Sequence, residues 1–302
     1  MLSEFTLWSH FLGAASALGS AFLWAVAAIL FAQIGEKLSA RTINLVKGFV
    51  AFVCLAFLLL IYSTSEFEWR AFGFLALSGI IGIAIGDTLY FQTLQRLGAK
   101  LTLLIGTLIP VVTGVSALFL FNETISHVQV FGLLITLFGV AFVLWNKTTQ
   151  NTSNYAWFSG VTIACIYVFA ESAGILLTKY GLNHYNSVEA TFIRQIFGVA
   201  ALVFWGLAVK DLVGGFEPLR KNSRLLGLLI ATSFIGAFLG TWLSIFALES
   251  TYAAVAVTLN ATSPIFVLPL AYWFLKEKFD KKQLIGSLVA VFGIAVYFVN
   301  LS

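Results

Sequence analysis

The stretch Ile81-Gly82-Ile83-Ala84-Ile85-Gly86-Asp87-Thr88-Leu89-Tyr90 has a counterpart 154 residues further on, Ile235-Gly236-Ala237-Phe238-Leu239-Gly240-Thr241-Trp242-Leu243-Ser244. The register runs on without a gap. Between 81–146 and 235–300, 16 of 66 positions are identical, among them Gly82/Gly236, Gly86/Gly240, Pro110/Pro264, Glu123/Glu277, Gln129/Gln283, Gly132/Gly286 and Gly139/Gly293. Shared hydrophobicity alone would match leucine to leucine. It would not align a proline, a glutamate, a glutamine and four glycines. Each copy holds three apolar spans, and two more precede it. A unit with an odd number of spans enters the membrane the second time upside down, which is the plan of many secondary transporters.

Composition makes the membrane explicit. The chain is 60% hydrophobic and 10% charged, with mean hydropathy +0.97, whereas a soluble domain carries about 25% charged residues. A spanning helix needs roughly 20 apolar residues. Ten candidates satisfy this: 11–33, 42–62, 72–94, 101–121, 127–145, 156–179, 188–209, 225–247, 252–274 and 283–300. They are continuous apolar runs without the alternation of a barrel strand. The expected fold is therefore all-α and integral to the membrane, with ten transmembrane helices as two inverted five-helix repeats. The first repeat covers 1–146, a polar linker covers 147–154, and the second repeat covers 155–302. The first two spans of each half align at an offset of 147, which places Lys47 on Arg194 and Trp24 on Glu171. The first span lacks a basic n-region and a small-residue cleavage site, so it reads as a retained helix rather than a signal peptide.

The connections between spans fall on two sides. Thirteen Lys and Arg lie on one side, against Arg70 and Lys179 on the other. Cytoplasmic loops collect positive charge, so this count places both termini outside the cytoplasm. The basic residues sit in these short loops, and no nucleic-acid partner is expected. Cys54 and Cys165 fall inside apolar spans, and His10, His127 and His184 lie far apart. Neither set has the spacing of a disulfide framework or a metal site. No cofactor and no metal are expected.

Ile85-Gly-Asp-Thr-Leu-Tyr-Phe91, Leu97-Gly-Ala99, Pro110, Asn122-Glu123 and Gln129-Val-Phe-Gly132 follow one another in order. The second copy repeats the pattern at Pro264, Lys276-Glu277 and Gln283-Leu-Ile-Gly286. In this order the segments resemble the drug/metabolite transporter superfamily, EamA type, and the likeness covers nearly the whole chain. The resemblance implies a ten-helix carrier with a central cavity that works by alternating access. Family substrates include amino acids, nucleotide sugars and sugar phosphates. Members are often drawn with cytoplasmic termini, opposite to the charge count.

Charges inside spans mark candidate sites, since insertion scales place their cost at about 2.5–3.5 kcal/mol each. Four stand out: Lys47, Asp87, Glu171 and Arg194. Each lies roughly 7–12 Å inside its nearer helix end at the α-helical rise. Lys47 and Asp87 fall near the basic-loop side, and Glu171 and Arg194 near the other, so depth suggests two acid–base pairs. A buried carboxylate on Asp87 or Glu171 is also a candidate carrier of a coupling proton. The plainer alternative is that Lys47 and Arg194 snorkel to an interface. Tyr90, one turn beyond Asp87, and Trp24 are candidate cavity aromatics, with packing as the alternative. Pro110 and Pro264 fall near the middles of spans four and nine and break hydrogen bonds there. Asn260 beside Pro264 is the strongest polar candidate of that group. The paired GxxxG spacings read as close helix packing, and Glu123 and Glu277 as interfacial caps.

The functional expectation is a secondary transporter for a small polar metabolite. An amino acid or related compound is favoured, because both signs of charge lie in the spans. Export is the expected direction and proton coupling an open alternative. The expected partners are that small-molecule substrate and the lipid bilayer, with the chain a monomer or homodimer in the cell membrane. Two rivals stand beside it. One is a channel or scaffold without alternating access. The other is an intramembrane enzyme. Gly86-Asp87 invites comparison with aspartyl intramembrane proteases, but Ala84 holds the place of their first glycine, and no second Tyr-Asp lies in a span.

Overall fold

A computed structural model describes residues 2–60, 66–121, 126–145, 154–182, 184–209, 212–250, 253–276 and 280–298. Glu123, Glu277 and the linker residues 147–153 lie outside this set. Every regular element among the described residues is helical. The protein is an all-α, multi-pass integral membrane protein, with eight helical runs among the described residues long and apolar enough to cross a bilayer. Large apolar side chains such as Phe57, Phe131, Phe138 and Phe204 face outward. Trp69 and Trp145 stand exposed at helix ends, the depth at which aromatic belts form.

The helices are α1 (Leu2–Gly35), α2 (Ala40–Leu59), α3 (Trp69–Ser78), a first π-helical segment (Gly79–Gly86), α4 (Asp87–Gly106), α5 (Leu108–Phe121) and α6 (His127–Trp145). After the linker come α7 (Asn154–Gly181), α8 (Ser187–Ala208), the short α9 (Leu212–Gly215) and α10 (Glu217–Lys221), and α11 (Ser223–Ser233). A second π-helical segment (Phe234–Gly240), α12 (Thr241–Ser250), α13 (Ala253–Asn260), α14 (Ser263–Phe274) and α15 (Lys281–Phe298) complete the described chain. Two of the ten expected spans, the fourth and the tenth, fall outside these eight runs. The expected fourth span is interrupted at Thr107, which leaves α5 only 14 residues long. The expected tenth span is present as α15, 18 residues over Lys281–Phe298.

Local sequence sets the ends. Ser39 caps α2 by accepting the Thr42 N–H at 3.2 Å. Asn186 and Glu189 form a reciprocal capping box at α8, satisfying two otherwise orphaned backbone donors. Glu68 caps α3 by accepting the Ala71 and Arg70 N–H groups, and these bonds hold its carboxyl below the ordinary glutamate range. Gly98 takes φ 75°, a left-handed conformation that glycine adopts without a Cβ penalty. It breaks the helical run between Asp87 and Gly106 at Leu97-Gly98-Ala99.

The chain divides into two compact units, each drawn from both halves of the sequence. One comprises Met1–Ile29, Ala99–Asn154 and Leu239–Ser302; the other comprises Leu30–Gly98 and Tyr155–Phe238. In the first unit α6 crosses α15 at glycines. A Cβ on Gly132 would stand 2.7 Å from Gly293 O, and one on Gly286 would stand 2.9 Å from Gly139 O. Exchanging each residue for its partner 154 positions away turns the first of these contacts into the second. The same spacing separates Thr136 from Ala290, whose carbonyl accepts from the Thr136 hydroxyl at 3.3 Å. In the second unit α2 meets α8 at the other offset: Gln195 Nε2 donates to Gly48 O at 3.0 Å across 147 residues.

Candidate functional site

The second unit gathers its charges around the first π-helical segment. A π turn bonds each N–H five residues back, and such turns are common at functional sites. The Asp87 N–H donates to Gly82 O in this way. Glycine supplies the room for two neighbours. A Cβ on Gly174 of α7 would sit 2.9 Å from Gly82 Cα, one on Gly79 would sit 2.1 Å from Arg194 O, and one on Gly198 would sit 2.7 Å from Ile83 Cβ. Helices α7 and α8 therefore lie backbone-close to the segment that carries Asp87. Asn44 fastens α2 to it as well, donating to Ile83 O at 2.7 Å and to the Thr88 hydroxyl at 3.0 Å.

Lys47 on α2 forms an ion pair with Asp87 at the start of α4. The Lys47 ammonium also stands 5.9 Å from the Phe91 ring centroid, within cation–π range. Phe91 is held in turn by Phe31 at 5.0 Å, edge to face. Glu171 on α7 points its carboxylate at the π segment. A Cβ on Gly86 would stand 2.7 Å from Glu171 Oε1, and a Cβ on Gly82 would stand 3.3 Å from Arg194 Nη2 and 4.0 Å from Glu171 Oε2. The charges that act on Glu171 are Asp87, Arg194 and Lys47. Two tyrosines border the group: Tyr90 and Tyr167 lie ring to ring at 5.5 Å.

Depth along the helices separates Lys47 and Asp87 from Glu171 and Arg194. The structure instead brings all four into one cluster, because missing side chains at 82 and 86 let the α7 carboxylate reach over the π segment. The second expected pair is not formed. Among the described residues, neither the Glu171 carboxylate nor the Arg194 guanidinium makes a hydrogen bond or ion pair, and Arg194 Nε is buried without a partner. One pair is closed; one acid and one base stand open beside it.

The remaining expected residues belong to the first unit. Pro110 falls in the first turn of α5 and Pro264 at the start of α14. Each prolongs a span just after an interruption, at Thr107 and at Ala261–Thr262, where a missing N–H costs least. Asn260 ends α13 and donates to the Ser244 hydroxyl at 2.7 Å, with its Oδ1 buried and unpartnered among the described residues. Trp24 is half-buried on α1. Nearby, Ser20 donates to Gly240 O at 2.8 Å. Sequence reasoning passed over Tyr167, Phe91, Asn44 and Gly86 as parts of the cluster. Tyr167 carried a readable signal, standing four residues before Glu171 and so on the same helix face. The GxxxG pattern marks Gly86 for packing alone, whereas its missing side chain is the space that the Glu171 carboxylate occupies.

Opposite charges sheltered between the spans of a helical multi-pass membrane protein mark a candidate functional site. The EamA-like transporter family matches residues 11–145 and again 158–299, and the chain belongs to that family. It is 26% identical over 212 residues to a chloroplastic WAT1-related protein of Arabidopsis thaliana, covering 69% of this chain and 50% of that one. It is 24% identical over 232 residues to an uncharacterized transporter of Synechocystis, covering 75% and 65%. The chain thus spans about half to two thirds of the length of these curated relatives. A solved crystal structure shares the fold with TM-score 0.66 and 16% identity, over 94% of this chain and 95% of that one.

Proposed function

We propose that the protein exports a small zwitterionic metabolite, an amino acid or a close relative, by alternating access between two inverted five-helix repeats, 1–146 and 155–302. The observation that carries this reading is the open acid and base beside a closed pair. Glu171 and Arg194 are half-buried and form no direct ion pair with each other, Arg194 Nε lacks a hydrogen-bond partner among the described residues, and Lys47 is engaged by Asp87. A substrate ammonium suits Glu171 and a substrate carboxylate suits Arg194. Leaving both unmatched is costly in a low-dielectric setting, and a ligand carrying both charges removes that cost. The two-fold family match at 11–145 and 158–299 and the glycine contacts related by 154 residues support the repeat. Ten spans follow if α5 and α15 are counted with the eight apolar runs.

Proton coupling belongs to the same reading, with Glu171 as the carrier. The groups around it are Asp87 and Tyr90 on α4, Tyr167 on α7, Arg194 on α8 and Lys47 on α2. In this scheme substrate and proton compete for Glu171, which ties outward movement of one to inward movement of the other.

The test is counterflow by purified protein in proteoliposomes, screened over amino acids, nucleosides and sugar phosphates. Saturable counterflow with an amino acid is expected. Glu171→Gln is expected to abolish the dependence of transport on a pH gradient and to weaken exchange as well, because the same carboxylate takes the substrate ammonium. Conductance without counterflow would replace the carrier with a channel, and transport still driven by a pH gradient in Glu171→Gln would remove the proton role.

A further inference from the structure

Away from the charged cluster, α2, α8 and α11 of the second unit enclose an open groove of about 870 Å³. Its walls are hydrocarbon, with Leu45 and Val53 on α2, Val199 and Val203 on α8, and Leu226 and Ile230 on α11. Packed helices rarely leave such space, since protein interiors fill to crystal-like density. The rim residues Phe49, Val53 and Ile230 are exposed. A path for a polar metabolite would need polar groups along it; this groove opens as an apolar surface, and the apolar solvent of a membrane protein is lipid.

The upper end has different chemistry. A smaller cleft shares Leu45 and Phe216 with the groove and adds Ser39, Arg41 and Thr42. Arg41 stands in the first turn of α2, its guanidinium 5.5 Å above the Trp205 ring. Arg220 and Lys221 end α10, just after Phe216, and Arg224 follows in the first turn of α11. From Arg41 to Val53 the helix descends about 18 Å at the α-helical rise. Cations and hydroxyls at one end, and an apolar lane below them, match one kind of molecule.

We propose that this groove binds one anionic phospholipid, with its phosphate at Arg41 and the exposed Ser39 and one acyl chain lying along α2, α8 and α11. Charge complementarity selects an anionic headgroup over a zwitterionic one. These residues lie on the side of the chain that carries thirteen Lys and Arg, and a basic residue near an anionic leaflet contributes about 1 kcal/mol, a factor of about five. Gly227 marks the free volume of the lane: a Cβ there would meet nothing within 4 Å.

The experiment is native mass spectrometry of the full chain released from detergent. Phosphatidylglycerol and phosphatidylcholine with identical acyl chains are offered together. One retained phosphatidylglycerol per chain is expected, at a preference of about fivefold or more. Arg41→Gln is expected to abolish the preference and Arg41→Lys to keep it, while Gly227→Phe is expected to displace both lipids from a protein that stays monodisperse. Brominated phosphatidylglycerol is expected to quench wild-type fluorescence more than that of Trp205→Phe, a reading that does not require the Arg41 variants to fold. Equal retention of the two lipids by the wild type would overturn the headgroup assignment. Retention unchanged in Gly227→Phe would overturn the groove itself, as would displacement of lipid by a polar transport substrate.

Discussion

The crossing of α6 with α15 and the crossing of the first π segment with α7 and α8 are both built on glycine, yet they use the space differently. In the first, Gly132 meets Gly293 and Gly286 meets Gly139 at the backbone, two contacts that interchange under the 154-residue offset, so the crossing is nearly self-complementary. In the second, backbone closeness at Gly79 and Gly174 is joined by two polar side chains, with Glu171 filling the place of a Gly86 side chain and Arg194 that of Gly82. Glycines thus build a backbone seam in one unit and a floor beneath charges in the other. What differs is the neighbour, and the neighbour comes from another part of the chain.

Substitutions that add one methyl group separate the two uses. The largest effect is expected in the backbone seam. A Cβ on Gly132 meets Tyr297 N at 2.5 Å and one on Gly139 meets Ala290 N at 2.6 Å, and backbone cannot step aside as a side chain end can. Each alanine is expected to cost about 1–3 kcal/mol or more, and the pair Gly132→Ala/Gly139→Ala to abolish a monodisperse peak on size-exclusion chromatography. Next comes the closed pair. Lys47→Met leaves the partly buried Asp87 without its partner and is expected to cost about 3 kcal/mol. Lys47→Met/Asp87→Asn is expected to recover most of that thermal stability, and no recovery would show that the pair is not the unit.

Gly86→Ala sharpens the contrast from the other side. Its methyl group meets a carboxylate end at 2.7 Å, and a side chain rotates away at a cost of about 1 kcal/mol. The melting temperature is expected to hold while counterflow falls, and Gly86→Ala/Glu171→Ala to be no less stable than Glu171→Ala alone. A melting-point loss as large as that of Gly132→Ala would erase the distinction between seam and floor. The smallest effect lies outside both crossings, at the exposed cap of α3. Backbone bonds hold the Glu68 carboxyl below its usual range. Its contribution is therefore present above the unfolded carboxyl pKa and lost as pH falls through the lowered folded value. Glu68→Gln is expected to lower the melting temperature slightly at neutral pH, with the difference vanishing in acid.

Much of this was legible before any coordinates. Apolar length and low charge establish a multi-pass helical membrane protein, because hydrocarbon leaves few other backbone solutions. Gly98 and the proline-linked interruptions mark breaks, since both residue types act on their own backbone. The four intramembrane charges stand out by residue type alone. Their partnership did not. Depth along a helix is a one-dimensional coordinate, and it split Glu171 from Asp87. The distance between them depends on how closely α7 approaches the π segment, which the spacing of Gly82 and Gly86 permits without naming the helix that arrives. Which acid holds Lys47, and which acid and base stay open, is a property of packing among α2, α4, α7 and α8. Only the tertiary structure decides it, because those contacts join residues that are distant in sequence, and no local rule connects them.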